Sequence, residues 1–319
     1  MLDRTANRAR LRPGRSGIIP APKMSSRSRS VVTSGLELRR TLPILALATV
    51  LANAGCQDVE VQAVPGAPFE CGDEEWQSAR KNPYRFIAHA AGQIDGYRYT
   101  NSLDALDLGY ESGLRLFEID LIQTHDGRYV GAHSWHAWRA ATGSSTSHPT
   151  HREFKQTLLF RRYRPLDLAD LERWFGARSD AFLVTDKISD FDTLLAGFSH
   201  RRRLIVEVFS VDAYHRAVAR GVLNPMLALL PALSSDGSDR VHELLRTTPV
   251  KFVSVPTKSL RREGRLLEAL RRNKTCVYAY TSSDPSFLER NIGERIYGAY
   301  TDRWDTRLGG CDAEVCDTY

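Results

Sequence analysis

The amino-acid sequence predicts an α/β fold, a single-domain (β/α)8 TIM barrel with a small hairpin after its second strand. Two observations carry that expectation. Between about residues 83 and 305, short apolar runs alternate with amphipathic ones, the signature of strand and helix in turn, and eight strand-like runs can be counted. The chain has 319 residues, 42% of them hydrophobic, enough to bury one large core or two smaller ones and too many for a disulfide-scaffold peptide. A doubly wound open sheet shares this local grammar and remains the alternative architecture.

The elements follow in order. The first strand is expected over residues 85–88 and is closed by His89. Residues 102–111 read as a helix, with Leu103, Leu106 and Tyr110 on one face. The second strand spans 114–122, and Asp126-Gly127 is a tight-turn signal followed by a second extended arm over 129–132. That hairpin brings His133 back beside Asp120. Residues 140–151, rich in Ser, Thr and His, read as a loop over the mouth. Six further strands are expected over 181–185, 204–209, 226–230, 252–255, 276–280 and 297–300. The helices among them are expected over 168–177, 192–200, 213–220, 240–246 and 262–272.

The formal charge of +6 belongs to the front of the chain. Residues 1–55 hold ten Lys and Arg against Asp3 and Glu37, leaving 34 basic and 36 acidic residues in the remainder. A nucleic-acid partner is therefore not expected. Arg39 and Arg40 precede the apolar run 42–52 and then small residues, so 1–55 reads as a signal segment, too short for a membrane span. Ala52-Asn53-Ala54 has the small-x-small form of a secretory cleavage site, whereas Ala54-Gly55-Cys56 has the ending of a bacterial lipoprotein signal with Cys56 lipidated. The protein is expected to be exported, either as a membrane-anchored lipoprotein or as a secreted or periplasmic chain. Membrane contact is expected through a lipid anchor at most. An N-terminal extension over 56–82 and a C-terminal tail over 306–319 flank the barrel.

With Cys56 set aside, Cys71, Cys276, Cys311 and Cys316 remain, an even number that suits an oxidising compartment. A bridge joining the chain ends is one reading; Cys276 as a plain buried thiol is another.

The residues able to carry chemistry gather at strand ends. Glu118 and Asp120 sit two apart on one strand and so share a face. Such a pair is costly to bury unless it holds a cation or meets basic partners. Asp186, ending the third strand, supplies a third carboxylate, and three oxygen donors suit a divalent metal, Mg²⁺ or Ca²⁺. His89 and His133, flanking such a metal, can serve as general base and general acid. Glu207 is either a further mouth residue or an ion-paired core residue. Asn101 is either an N-cap or a substrate contact. Tyr280, Tyr300 and Trp304 either wall a substrate group or pack the barrel.

In their order and spacing, Phe86-Ile-Ala-His-Ala-Ala-Gly92, Thr100-Asn-Ser-Leu-Asp-Ala-Leu106, Phe117-Glu-Ile-Asp120, Thr124-His-Asp-Gly127 and Val130-Gly-Ala-His133 resemble the glycerophosphodiester phosphodiesterase family. The likeness continues more weakly through Val184-Thr-Asp-Lys187 and Tyr300-Thr-Asp302. The resemblance implies a TIM-type barrel cleaving a small phosphodiester or lipid headgroup, with His89 and His133 catalytic and Glu118, Asp120 and Asp186 binding the metal. Lys187 would then stabilise phosphate. The chain departs from the family at Ala90, where Arg is usual, at Thr100 and Ser134, where carboxylates are usual, and in the adjacency of Asp186 and Lys187. Both of the latter can serve only if their strand has ended at Asp186. Two alternatives stand beside hydrolysis of a glycerophosphodiester: a phospholipase-type reaction releasing a cyclic phosphate, and an inactive barrel acting as a binding module.

Overall fold

In the computed structural model, residues 69–311 are described. The expected signal segment over 1–55, Cys56 as the expected lipidation site, and Cys316 lie outside the described residues. Among those described, no helix is long and apolar enough to cross a membrane.

Nine strands form. They are β1 (Phe86–Ala88), β2 (Leu116–Gln123), β3 (Tyr129–Gly131), β4 (Phe182–Asp186), β5 (Leu204–Val208), β6 (Asn224–Ala228), β7 (Phe252–Pro256), β8 (Cys276–Tyr280) and β9 (Gly298–Thr301). All except β3 run parallel, in the order β1, β9, β8, β7, β6, β5, β4, β2, and β1 also pairs with β2, which closes the barrel. The closed TIM barrel replaces the open-sheet alternative. β3 lies antiparallel on β2 with Leu121 opposite Gly131, the expected hairpin.

Eleven helices accompany the strands among the described residues. They are α1 (Trp76–Ala79), α2 (Leu103–Glu111), α3 (Trp135–Thr142), α4 (His151–Gln156), α5 (Leu168–Gly176), α6 (Phe191–Gly197), α7 (Val211–Ala219), α8 (Leu229–Asp236), α9 (Ser238–Thr247), α10 (Gly264–Arg272) and α11 (Pro285–Asn291). The sixth strand sits two residues earlier than expected because Leu229 and Leu230 open α8. An apolar run alone does not separate the end of a buried strand from the start of a helix. The span expected as a mouth loop is partly helical. Ser134 caps α3 by accepting from the Ala137 amide at 3.1 Å, and Thr150 forms a capping box with Glu153 at the start of α4.

Two apolar layers hold the barrel. One lies between strands and helices and contains Phe117, Trp174, Phe175 and Phe198. The other fills the interior, with Ile87, Val184, Ile205, Met226, Phe252 and Tyr278. The extension ahead of the barrel closes its floor. Phe69 stacks on Tyr84 at 5.1 Å and meets Phe182 at 5.8 Å and Phe252 at 5.9 Å. Arg85, 2% exposed, donates to the carbonyls of Tyr297 and Gly72. Cys71 is disulfide-bonded to Cys276 across 205 residues, so Cys276 is not a free thiol, and Cys311 is disulfide-bonded as well.

A bridge closing so long a loop restricts the unfolded chain strongly, by about 2–5 kcal/mol. The Cys71→Ala/Cys276→Ala double variant should therefore unfold at a clearly lower urea midpoint, by circular dichroism, than the oxidised parent. An unchanged midpoint would show that the floor is held by packing alone.

Candidate active site

The candidate constellation is set by strand register. Glu118 and Asp120 project from one face of β2, and pairing with β4 places Asp120 opposite Asp186. Each of the three offers an oxygen, and these atoms lie within 4.8 Å of one another. The hairpin delivers His133. The Ala132 amide donates to the Asp120 carbonyl at 2.9 Å, and His133 Nδ1 then lies 3.1 Å from Asp120 Oδ1. Barrel closure delivers a second pair: β1 aligns Ala88 with Thr301 of β9, and His89 Nδ1 lies 3.1 Å from Asp302 Oδ1. Arg98 Nε is 3.5 Å from the other Asp302 oxygen. A carboxylate thus stands at Nδ1 of each histidine, which leaves Nε2 as the nitrogen for proton exchange. The Tyr99 ring lies between them, 4.8 Å from His89 and 5.2 Å from His133.

Three backbone turns serve the carboxylates. Ala90, at φ 48°, aims its amide at Glu118 Oε2 at 2.7 Å. Asn101, at φ 46°, donates its Nδ2 to Asp120 Oδ2 at 2.9 Å and accepts the Asp120 amide at Oδ1 at 3.0 Å. Asn101 is fully buried with both amide ends engaged, so it orients Asp120; the N-cap of α2 is its neighbour Ser102. Strand β4 ends at Asp186 and Lys187 takes φ 59°, which is how adjacent residues reach one site. Lys187 Nζ contacts Asp120 Oδ1 and lies 3.5 Å from Asp186 Oδ2.

Glu207 is buried and accepts hydrogen bonds from Ser254 and, at 3.0 Å, from Tyr300. It lines the same cavity, about 460 Å³, as the histidines, the three clustered carboxylates, Lys187, Phe209, Tyr280 and Tyr300. Trp304 stacks on Phe86 at 4.6 Å and bonds the Arg80 carbonyl, so it packs the barrel and walls no substrate space.

Asp302, Arg98, Tyr99 and Phe209 were not singled out by the sequence as site residues. Asp302 ends the motif Tyr300-Thr-Asp302, but its contact with His89 spans 213 residues and exists only once the barrel closes.

The electrostatics are those of crowded like charges. Burial, together with the charges of Asp120 and Asp186, pushes the Glu118 carboxyl well above its usual range. Burial pushes Asp186 up to about 7 against the opposing charge of Lys187. For Asp120 burial acts the same way, but hydrogen bonds from His133, Lys187 and Asn101 outweigh it and hold the carboxyl well below its usual range. The hydrogen bond to Asp120 raises His133.

These residues fit a divalent cation. All donors are oxygen, and Asp186 Oδ1 is buried with no hydrogen-bond partner among the described residues. Buried polar atoms are ordinarily paired, so this oxygen is one a cation could take as its donor.

No family model matches the chain, and no curated protein matches it. Solved structures do. A glycerophosphodiester phosphodiesterase from Thermotoga maritima is similar with a TM-score of 0.57 and 20% identity, covering 70% of this chain and 96% of that one. One from Parabacteroides distasonis gives 0.56 and 17%, covering 70% and 95%. An Oleispira antarctica phosphodiesterase in complex with the product sn-glycerol-3-phosphate gives 0.57 and 16%, covering 70% and 94%. At these identities the likeness establishes the fold.

The raised carboxyls make metal binding and stability depend on pH. Asp186 keeps its proton up to about pH 7 in the folded chain but releases it near its ordinary value, 3.8, when unfolded. The folded state thus holds the extra proton, and stability of EDTA-treated protein should fall as pH rises from about 4 through 7. Asp120, shifted the other way, titrates below that window. Mg²⁺ affinity should rise between pH 6 and 8, because the cation displaces the proton. Calorimetry at the two pH values and urea midpoints across the range check both; a flat affinity would place the cation elsewhere.

Proposed function

We propose that the chain is a metal-dependent phosphodiesterase of the glycerophosphodiester phosphodiesterase type, hydrolysing a small phosphodiester or lipid-headgroup ester. One observation carries this reading: two histidines, each backed by a carboxylate, share a cavity with three clustered carboxylates. The activity named for the similar solved structures supports it.

A phosphodiester needs its non-bridging charge neutralised, a nucleophile activated and its leaving alkoxide protonated. Glu118, Asp120 and Asp186 would hold Mg²⁺ or Ca²⁺, which when bound supplies Lewis-acid charge neutralisation at the phosphate. Lys187 adds a second positive charge on the same side, 3.5 Å from His133 Nδ1. Asp302 fixes the His89 ring and favours the tautomer protonated at Nδ1, so Nε2 can take or give the reacting proton. Asp120 does the same for His133. One imidazole accepts a proton from the attacking water or substrate hydroxyl while the other donates to the leaving oxygen. Ala90, where the family usually has Arg, contributes to the machinery through its amide and leaves that part of the phosphate without a guanidinium.

Export is part of the proposal. The Cys71–Cys276 bridge supports folding in an oxidising compartment.

Purified protein given glycerophosphocholine or glycerophosphoethanolamine with Mg²⁺ or Ca²⁺ should release alcohol, and EDTA or His89→Ala should abolish release. Asp302→Asn should lower kcat by about 10²–10⁴ while calorimetric Mg²⁺ affinity persists, since Asp302 orients a base and holds no cation. Metal binding without turnover of any phosphodiester would favour a binding barrel. Opposite protonation states in the two histidines should give a bell-shaped pH–rate profile.

A further inference from the structure

The cavity is two-sided. Strands β1, β2 and β4, adjacent in the barrel, bring His89, Glu118, Asp120 and Asp186 to it. Around the rest of the rim, β5, beside β4, and β9, beside β1, with β8 next to it, lead to Phe209, Tyr300 and Tyr280. There both oxygens of the Glu207 carboxylate accept hydroxyls, Oε1 from Ser254 and Oε2 from Tyr300.

Phe209 is the informative residue. It follows β5 directly, two residues beyond Glu207, and both line the cavity. It is 40% exposed, belongs to neither apolar core layer, and makes no ring contact with any described residue. Tyr97 and Tyr99, similarly exposed, are held by rings of Phe160, His89 and His133. A phenylalanine two-fifths exposed at the rim of a polar cavity leaves apolar surface at the pocket mouth that the apolar part of a ligand can cover.

We infer that the substrate carries a hydrocarbon substituent on one arm of its phosphodiester, bound by the aromatic side of the cavity, with Phe209 as the specificity-determining residue. The inference rests on the phosphodiesterase reading for the position of the phosphate. With phosphate on the charged side, one ester arm points at Phe209, Tyr280 and Tyr300. A bare glycerol arm would lose its water there and find few hydrogen-bond partners, whereas an acyl or alkyl chain would cover ring surface that is otherwise wet.

The test compares two substrates with one headgroup, glycerophosphocholine and hexanoyl-lysophosphatidylcholine, the latter below its micellar concentration, with the full chain and Mg²⁺. The wild-type ratio of kcat/KM should favour the hexanoyl ester by about tenfold or more. Phe209→Ala should collapse that ratio toward unity, chiefly through KM, and Phe209→Leu should restore most of it. A wild-type preference for glycerophosphocholine, or a ratio unmoved by Phe209→Ala, would overturn the inference. Calorimetry of hexyl phosphate against glycerol 3-phosphate, with Mg²⁺ present, keeps the two readings apart. If neither ester is cleaved, the hydrolase reading fails; tighter binding of hexyl phosphate, lost in Phe209→Ala, still supports the aromatic side, and equal binding overturns it.

Discussion

Repulsion among Glu118, Asp120 and Asp186 is the constraint around which the mouth is organised. Three carboxylates within 4.8 Å, two of them on one buried strand face, would not ionise together in a barrel interior without compensation. The compensation comes from residues in an unfavourable backbone state. Ala90, Asn101 and Lys187, which bond to Glu118 or Asp120, all have φ between 46° and 59°. For residues with a Cβ that conformation costs about 1–2 kcal/mol each, and asparagine tolerates it best. Strain and charge are thus concentrated in the same few residues. The site is stabilised by the rest of the barrel and is not itself a source of stability.

Register is the second requirement. Asp120 meets Asp186 because β2 pairs with β4 in one alignment, and His89 meets Asp302 because β9 closes on β1. A slip of one residue in either pairing would turn the acid to the other face of the sheet. Of the two histidine–carboxylate pairs, His89–Asp302 is therefore a consequence of barrel closure, whereas His133–Asp120 belongs to the local β2–β3 hairpin.

How much could be read from the chain follows from this. The eight strands, the hairpin and the placement of His133 beside Asp120 were legible because each rests on local periodicity and one turn dipeptide. The three-carboxylate cluster was legible from two residues on one face and a third at a strand end. Asp302 was harder, since nothing near it in sequence shows its partner. Asn101 was read as a cap or a substrate contact because a side chain reaching an acid 19 residues away leaves no periodic trace. Phe209 looked like the last residue of an apolar strand, and only its 40% exposure separates it from core. Helices α3, α4 and α11, each of six to eight residues, are short enough for capping to matter as much as periodicity.

The disulfide at the floor has a topological consequence. Cys71 and Cys276 enclose β1 through β7 in one covalent ring, with β8 beginning at the closing residue. A single peptide-bond cut anywhere inside that ring leaves both pieces joined, so a nicked barrel would migrate as one molecule until reduced. It would also keep its strands at the short effective distance that allows pieces of a barrel to reassemble. Loops at the mouth can therefore be opened, or the chain re-entered at a new terminus, without losing the connectivity that closes the barrel.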